Sequence, residues 1–314
     1  MIVYLVRRLG QAVVVLLLVS IIVFGLLHAL PGGLVRAQLG PKASSYAVHQ
    51  LTIQEGLTKP LPAQYGVWLS NLLHGNLGFA YKQETPVSTL LAEYFPRTLV
   101  LAGGGLLLAV VLAVPIGLLQ GGRRNSLLDH GMSGAFLMTY SMPYNLLGVI
   151  LIVLFGGVVF NLLPAGATAY GQSFGADVRV LALPVLTLAL GSVAYFSRYV
   201  RSSVIDNLGE DYVRTARAKG VSRSRILVRH VLRNSLLPFV SAVGLSLPTL
   251  VSGTLLVEVL FAYPGMALLF WDAQQNRTYP LLLGIMLIVT AFVVIGNLLA
   301  DLAYAALDPR IRYV

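Results

Sequence analysis

Ionisable side chains are scarce in this chain, and their densest run is residues 211–238, DYVRTARAKGVSRSRILVRHVLRNSLLP. The spacing there favours recognition over catalysis. Glu210 and Asp211 stand where a first helical turn would begin, and acids are favoured at that end by the helix dipole. Glu210 and Arg214 are four apart, a spacing that predicts a supporting ion pair. Lys219 followed by Gly220 is the usual chemistry for ending a helix, and Ser222 is placed to cap a second one. On that second helix Leu227, Val228, Val231 and Leu232 fall along one arc, while Arg225, Arg229 and Arg233 recur every four residues along another. The stretch therefore reads as two short helices bent at a glycine, cationic and amphipathic, built to dock into a partner.

Elsewhere the sequence is poor in reactive groups. It has no cysteine, which excludes disulfides, thiol catalysis and thiolate metal sites. The five histidines, at 28, 49, 74, 130 and 230, are scattered and form no ligand spacing. No phosphate-binding GxxxxGK[ST] is present, so the chain has no familiar means of hydrolysing ATP. Gly103-Gly104-Gly105 lies inside an apolar run and reads as a site of close helix packing, not a phosphate cradle.

The elements that must hold the polar stretch are membrane spans. Hydrophobic residues make up 57% of the 314 and charged residues 11%, a mixture far from that of a soluble domain. Apolar runs at 9–29, 98–119, 133–160, 180–197, 239–260 and 280–303 are each long enough to cross a bilayer or nearly so. The first follows Arg7 and Arg8 and exceeds a signal-peptide core, and no small-x-small cleavage site follows it, so it reads as a retained span. Leu30-Pro31-Gly32-Gly33 looks like its exit turn. Pro115, Pro143 and Pro248 fall within spans, where they can kink helices or serve packing alone.

Charge sets the orientation. The 22 basic residues outnumber 12 acidic ones, for a net +10. Fifteen Lys and Arg fall on one face: Arg7, Arg8, Arg123, Arg124, the nine from 198 to 233, Arg310 and Arg312. The other face carries seven, mostly within the long segment that ends near Arg97. The positive-inside rule then puts both termini and the 211–238 stretch in the cytoplasm. The excess charge answers to topology and lipid headgroups, and no basic stretch interleaved with aromatics points to nucleic acid. The span centres hold no Asp, Glu, Lys, Arg or His; Glu258 and Asp301 sit near the ends. The empty membrane centre disfavours an ion- or proton-coupled secondary carrier or channel, whose paths ionisable residues at mid-membrane mark, and an intramembrane enzyme needs polar catalytic groups near the membrane plane. Neither alternative finds its residues, so a transport engine would be borrowed through the cytoplasmic stretch.

Residues 31–96 form the largest segment outside the spans. The part through Lys59 is polar and loosely patterned; beyond it Tyr65, Trp68, Leu69, Leu72 and Leu73 recur at helical spacing, with Tyr65 and Trp68 suited to a membrane interface. One reading is a short interfacial helix packing on the bundle; the other is a landing surface for a solute-binding protein.

Residues 211–238 resemble the coupling loop, the so-called EAA loop, of ABC importer permease subunits. Ala216, Gly220 and Leu237-Pro238 match that pattern. Arg214 and Thr215 stand where Glu and the first Ala are usually written, and the distance from 220 to 238 is longer than in the short form, as expected of the dipeptide/oligopeptide/nickel branch. Further likenesses run along the chain: residues 64–79, Leu163-Pro164-Ala165, Leu183-Pro184, the run 188–220, Glu258, Tyr263-Pro264-Gly265 and residues 307–312. Pro31-Gly32-Gly33 sits where the family often shows PGDP. Together they resemble the first, B-type, permease of dipeptide and oligopeptide importers.

The resemblance implies an all-α integral membrane protein with six transmembrane helices. It would be a single permease domain over 1–314, with an external segment at 31–96 and a coupling helix-turn-helix, within 201–237, between the fourth and fifth spans. It implies a multi-pass subunit of a bacterial-type cytoplasmic membrane that pairs with a second, homologous permease subunit. Two ATPase subunits would bind ATP and Mg, leaving this chain without a cofactor or metal of its own, and an external solute-binding protein would deliver peptides or similar small solutes. The coupling residues would be Glu210, Asp211, Arg214, Ala216, Gly220, Arg225, Arg229 and Arg233; Tyr65 and Trp68 would meet the binding protein.

Overall fold

A computed structural model describes residues 2–29, 35–36, 39, 43–54 and 56–307. The expected exit turn at Pro31 and the motif over 308–312 lie outside the described residues. Among those described, helices dominate. The uncharged run after Arg8 lies within α1, Ile2–His28. Ser44 starts α2, Ser45–Gln54, its hydroxyl accepting from the Ala47 amide at 3.2 Å. This helix forms within sequence that shows no clear period. Pro60 and Pro62, whose fixed φ suits a first turn, open α3, Leu61–Leu73. A two-residue antiparallel ladder follows, β1 Phe79–Ala80 with β2 Thr85–Pro86, in the register Phe79↔Pro86 and Ala80↔Thr85.

Next come α4, Val87–Gly122; α5, Leu127–Ser141; α6, Tyr144–Phe155; and α7, Phe174–Leu208. After them α8 is Asp211–Ala218. The chain continues through α9, Arg223–Arg225, and a π-helical turn, Ile226–Val231, into α10, Leu232–Leu260. It ends in α11, Met266–Gln275, and α12, Tyr279–Leu307.

Four helical stretches among the described residues are long and apolar enough to cross a membrane: Arg7–Leu26, Val87–Gly122, Phe174–Leu208 and Tyr279–Leu298. Two bent pairs bring the number to six if each is one span. The chain is thus an all-α membrane protein. One bend is large. The span expected over 133–160, with Pro143 inside it, is two helices, α5 and α6, set at 109°. Pro143 has no amide hydrogen to continue a helix, and it holds Met142 extended, at φ −81° and ψ 134°. The second span also starts earlier than the apolar run suggests, because Val87 and Leu91 already have a core to enter.

The chain divides into two compact units, Met1–Thr98 with Pro264–Leu298, and Leu99–Tyr263 with Leu299–Val314. In the first, Val87, Leu91, Leu269, Leu281 and Ile285 are buried together. Gly284 allows the close approach: a Cβ there would stand 2.6 Å from Val87 Cγ1. In the second, α7 is the central element, with Leu183, Leu188, Val193, Phe196, Val200 and Val204 all buried. Gly104 and Gly105 of α4 pack against Val185 and Leu188 of α7, as expected for two of the glycine triplet, while a Cβ on Gly103 would meet nothing within 4 Å; Gly117 and Gly121 meet Val200 and Val204 a few turns on. Small residues four apart are what let two membrane helices approach this closely.

Candidate functional site

The polar stretch folds as a helix, a glycine turn and a second helix entered through a π turn, all within the second unit. Gly209 ends α7 and Glu210 is extended, at φ −73° and ψ 151°, its carbonyl accepting from the amides of Val213 and Arg214. On α8 the two buried residues are Val213 and Ala216, three apart and therefore on one face. They join the cluster that holds Val204, Ile226 and Val231. The opposite face presents Asp211, Arg214, Thr215 and Arg217. Asp211 in the first turn and Arg217 in the last both complement the helix dipole.

The ion pair expected between Glu210 and Arg214 does not form. Glu210 precedes the helix, so its side chain does not lie one turn below Arg214. Asp211 takes its place, with Arg214 Nη1 3.3 Å from Asp211 Oδ1. Both side chains are exposed, and such a pair contributes at most about 1 kcal/mol.

The glycine turn follows the expectation in full. Gly220 has φ +75°. Its amide donates to the Arg217 carbonyl at 2.9 Å, and the Val221 amide donates to the Ala216 carbonyl at 3.1 Å. These two bonds satisfy carbonyls that the helix end would leave unpaired, and the left-handed residue between them favours glycine. Ser222 occupies the next N-cap position, its carbonyl accepting from the Ile226 amide at 3.0 Å, but its hydroxyl makes no capping bond.

Beyond it the buried arc differs from the one read for an α-helix. Ile226 and Val231 are buried, Leu227 and Leu232 half-buried, and Val228 is 57% exposed. The i→i+5 bonding of the π turn brings residues five apart over one another, which puts Ile226 in register with Val231 and rotates Val228 outward. Arg225, Arg229 and Arg233 are all exposed, and among the described residues none of them forms an ion pair.

Several anchors fix the base of this loop that its own sequence does not announce. Tyr212 donates its hydroxyl to Asn207 Oδ1 at 2.8 Å. Arg223 donates to the Gly122 carbonyl at the end of α4. Arg201, in the last turns of α7, binds Asp129 of α5 through two parallel bonds of 2.8 Å. The available sequence signal was Ser126 three residues before Asp129, a helix-start pattern; the hydroxyl does accept from the Asp129 amide. The partner of Asp129 lies 72 residues away, and no local pattern names it. The whole arrangement offers no nucleophile–base pair. It offers a cationic, outward-facing surface on a fixed base.

Two family models cover the chain: the N-terminal part of a binding-protein-dependent transport system membrane component over residues 1–102, and the inner membrane component of such systems over residues 113–313. The chain belongs to this family of transport permeases. Its relatives include the oligopeptide transport system permease protein AppB of Bacillus subtilis, 35% identical over 99% of both chains. The dipeptide transport system permease protein DppB of Escherichia coli is 34% identical over 99% of this chain and 98% of its own.

The permease's second candidate region lies in the first unit. Tyr65 and Trp68 are half-buried and turn toward α1. The Tyr65 and Ser20 hydroxyls are 2.8 Å apart, and the Phe24 ring lies 5.3 Å from that of Tyr65 and 5.7 Å from that of Trp68. His28 Nε2 lies 2.8 Å from Gln64 Oε1. The outward face of α3 instead carries Ser70 and Leu73. Phe24, His28, Gln64, Trp68, Asn71 and Tyr81 line part of a cleft of about 500 Å³ in this unit.

Proposed function

We propose that this permease forms, with a second and homologous permease subunit, the pathway of an ATP-driven importer for peptides, and that residues 206–238 are the surface on which an ATPase subunit acts. The observation that carries this reading is the division of labour on α8: Val213 and Ala216 are buried while Asp211, Arg214 and Arg217 are exposed, above a base fixed by Arg223 and Tyr212. Ala216 acts in this reading by seating the helix, and Gly220 by setting its angle. Glu210, Asp211, Arg214 and the Arg225, Arg229 and Arg233 set meet the partner. Two ATPase subunits bind ATP and Mg, and each drives one such loop. A ligand-driven change requires different contacts in two partner states, and a rigid charged face can supply them. The whole chain works as one permease domain. Peptide as substrate class is supported by the names of relatives such as AppB and DppB.

The charge division of 15 against seven basic residues supports a cytoplasmic loop and cytoplasmic termini in a bacterial inner membrane. A solute-binding protein then docks outside, on the face of α3 that Tyr65 and Trp68 support from beneath. Single cysteines test the arrangement, since the chain has none of its own. Ser224→Cys and Ser45→Cys, both exposed, are expected to label from opposite sides of the membrane, and ATPase subunits are expected to protect Ser224→Cys alone. Labelling of both from outside, or no protection by bound ATPase, overturns the reading.

A further inference from the structure

The turn joining α4 to α5, residues 122–129, is gripped at both ends by groups remote in sequence. At its start Arg223 donates to the Gly122 carbonyl, and Leu227 Cδ1 lies 3.0 Å from where a Cβ on Gly122 would stand. Both partners belong to the loop. At its end Asp129, with its side chain 1% exposed, receives Arg201 Nε on Oδ1 and Nη2 on Oδ2. Asp129 Oδ2 also accepts from the Asn125 amide at 2.9 Å, which holds Asn125 in a left-handed conformation, φ 61°. A fork of two charge-assisted bonds fixes direction as well as distance. Asp129 therefore ties its own turn, the start of α5 and the end of α7 into one joint.

Chain continuity carries a movement of the loop into α7 at one end and into α10 at the other. It does not carry that movement into α5 and α6, the pair bent by 109°. The two grips do. The geometry points to the 122–129 turn as the relay through which displacement of the loop reaches α5, with Asp129, Arg201 and Arg223 as positioning residues. This inference rests on the coupling reading above.

The test uses the assembled importer in lipid, with cysteine-free partner subunits. Nitroxide reporters go singly at Met138→Cys on α5 and Val240→Cys on α10, both exposed positions. Electron paramagnetic resonance spectra are compared without nucleotide and after trapping with ATP and vanadate. Without further substitution both reporters respond. In Asp129→Asn, and in the charge-free double variant Asp129→Asn/Arg201→Gln, the response at 138 falls about five-fold or more while that at 240 stays within about two-fold. Arg223→Gln lowers the response at 138 in the same direction.

A response that persists at 138 in the variants, or falls equally at both reporters, overturns the relay and leaves the ion pair a structural tie. Failure of both Asp129 variants to assemble has the same consequence. So does a response at 240 with none at 138 before any substitution. If neither reporter responds before substitution, the coupling reading fails and the relay with it.

Discussion

Two regions of this permease were candidates for partner contact, and they are built in opposite ways. In the loop over 209–233 the apolar residues Val213, Ala216, Ile226 and Val231 are buried and the charges face out, on a base held by the Gly122 carbonyl of α4 and the Asn207 side chain of α7, with Arg201 of α7 tied in turn to Asp129 of α5. In α3 no residue is fully buried, and the aromatic pair Tyr65 and Trp68 faces inward onto Phe24 and Ser20. Burial of apolar side chains is the main source of fixed orientation. The loop has a defined direction because its inner face is committed to the core. The helix over 61–73 rests on a few aromatic contacts and one hydroxyl pair. A lever needs the first kind of construction; a landing surface can use the second.

The comparison breaks most directly at Gly220. A Cβ there would meet nothing within 4 Å, so the cost of Gly220→Val is backbone conformation alone, on the order of 1–2 kcal/mol at φ +75°. That is too little to unfold a membrane bundle but enough to re-aim α8. The expected outcome is normal insertion with most ATPase association or coupled transport lost, about ten-fold or more. Co-purification and substrate-stimulated hydrolysis in liposomes measure it. Normal association together with normal coupled transport would remove the lever.

One substitution made in both regions should change sign between them. A Cβ on Gly117, beneath the loop, would stand 2.6 Å from the Ser197 carbonyl oxygen and 2.6 Å from Val200 Cβ. Gly117→Ala is expected to destabilise by about 1–3 kcal/mol, the usual cost of overpacking. Gly66, in α3, has nothing within 4 Å of such a Cβ. Gly66→Ala is expected to stabilise by about 0.5–1 kcal/mol through helix propensity. Thermal unfolding in detergent distinguishes the two signs.

Much of this contrast was legible in the sequence, and the part that was not has a common cause. Hydropathy located the spans, and Lys219-Gly220 located the turn, because both signals are local and strong. The close packing of Gly104 and Gly105 was readable for the same reason. Pro143 was visible, but a proline inside an apolar run does not state its bend; only the packing of α5 and α6 sets 109°. The π turn was invisible because it arises from how Ile226 and Val231 enter a core already formed by α7. The pair Asp129 and Arg201 joins residues 72 apart, a separation that no window of periodicity spans. Tyr65 and Trp68 were found as a helical face, but periodicity does not tell an inward aromatic face from an outward one. The arginine spacing was right for exposure and wrong for regularity, since the π turn changes the angle between Arg225 and Arg229.

The arginines give a graded test. Replacing Arg225, Arg229 and Arg233 together by Gln removes three exposed charges without touching the buried face. ATPase affinity is expected to fall a few-fold, about 1 kcal/mol for the three charges together, and to lose part of its salt dependence. An unchanged salt response in the triple variant would assign these residues to lipid headgroups rather than to the partner.

The smallest expected effect belongs to Tyr65, and it separates packing from docking in the first unit. The Tyr65 hydroxyl is 2.8 Å from that of Ser20, and the ring stands edge-on to Phe24. Tyr65→Phe keeps the ring contact and deletes only the hydroxyl pair, so the expected loss is about 0.5–1.5 kcal/mol of local stability, with uptake almost unchanged. Leu73→Glu changes a side chain that is 79% exposed and touches little of its own chain. If the outward face of α3 receives the binding protein, a charge there lowers the apparent affinity of the importer for the loaded binding protein while ATPase association stays normal. Titrating uptake against binding-protein concentration in both variants measures the difference. If Tyr65→Phe impairs uptake more than Leu73→Glu does, the inward aromatic pair is itself the functional element, and the division between an inner support and an outer landing face is wrong.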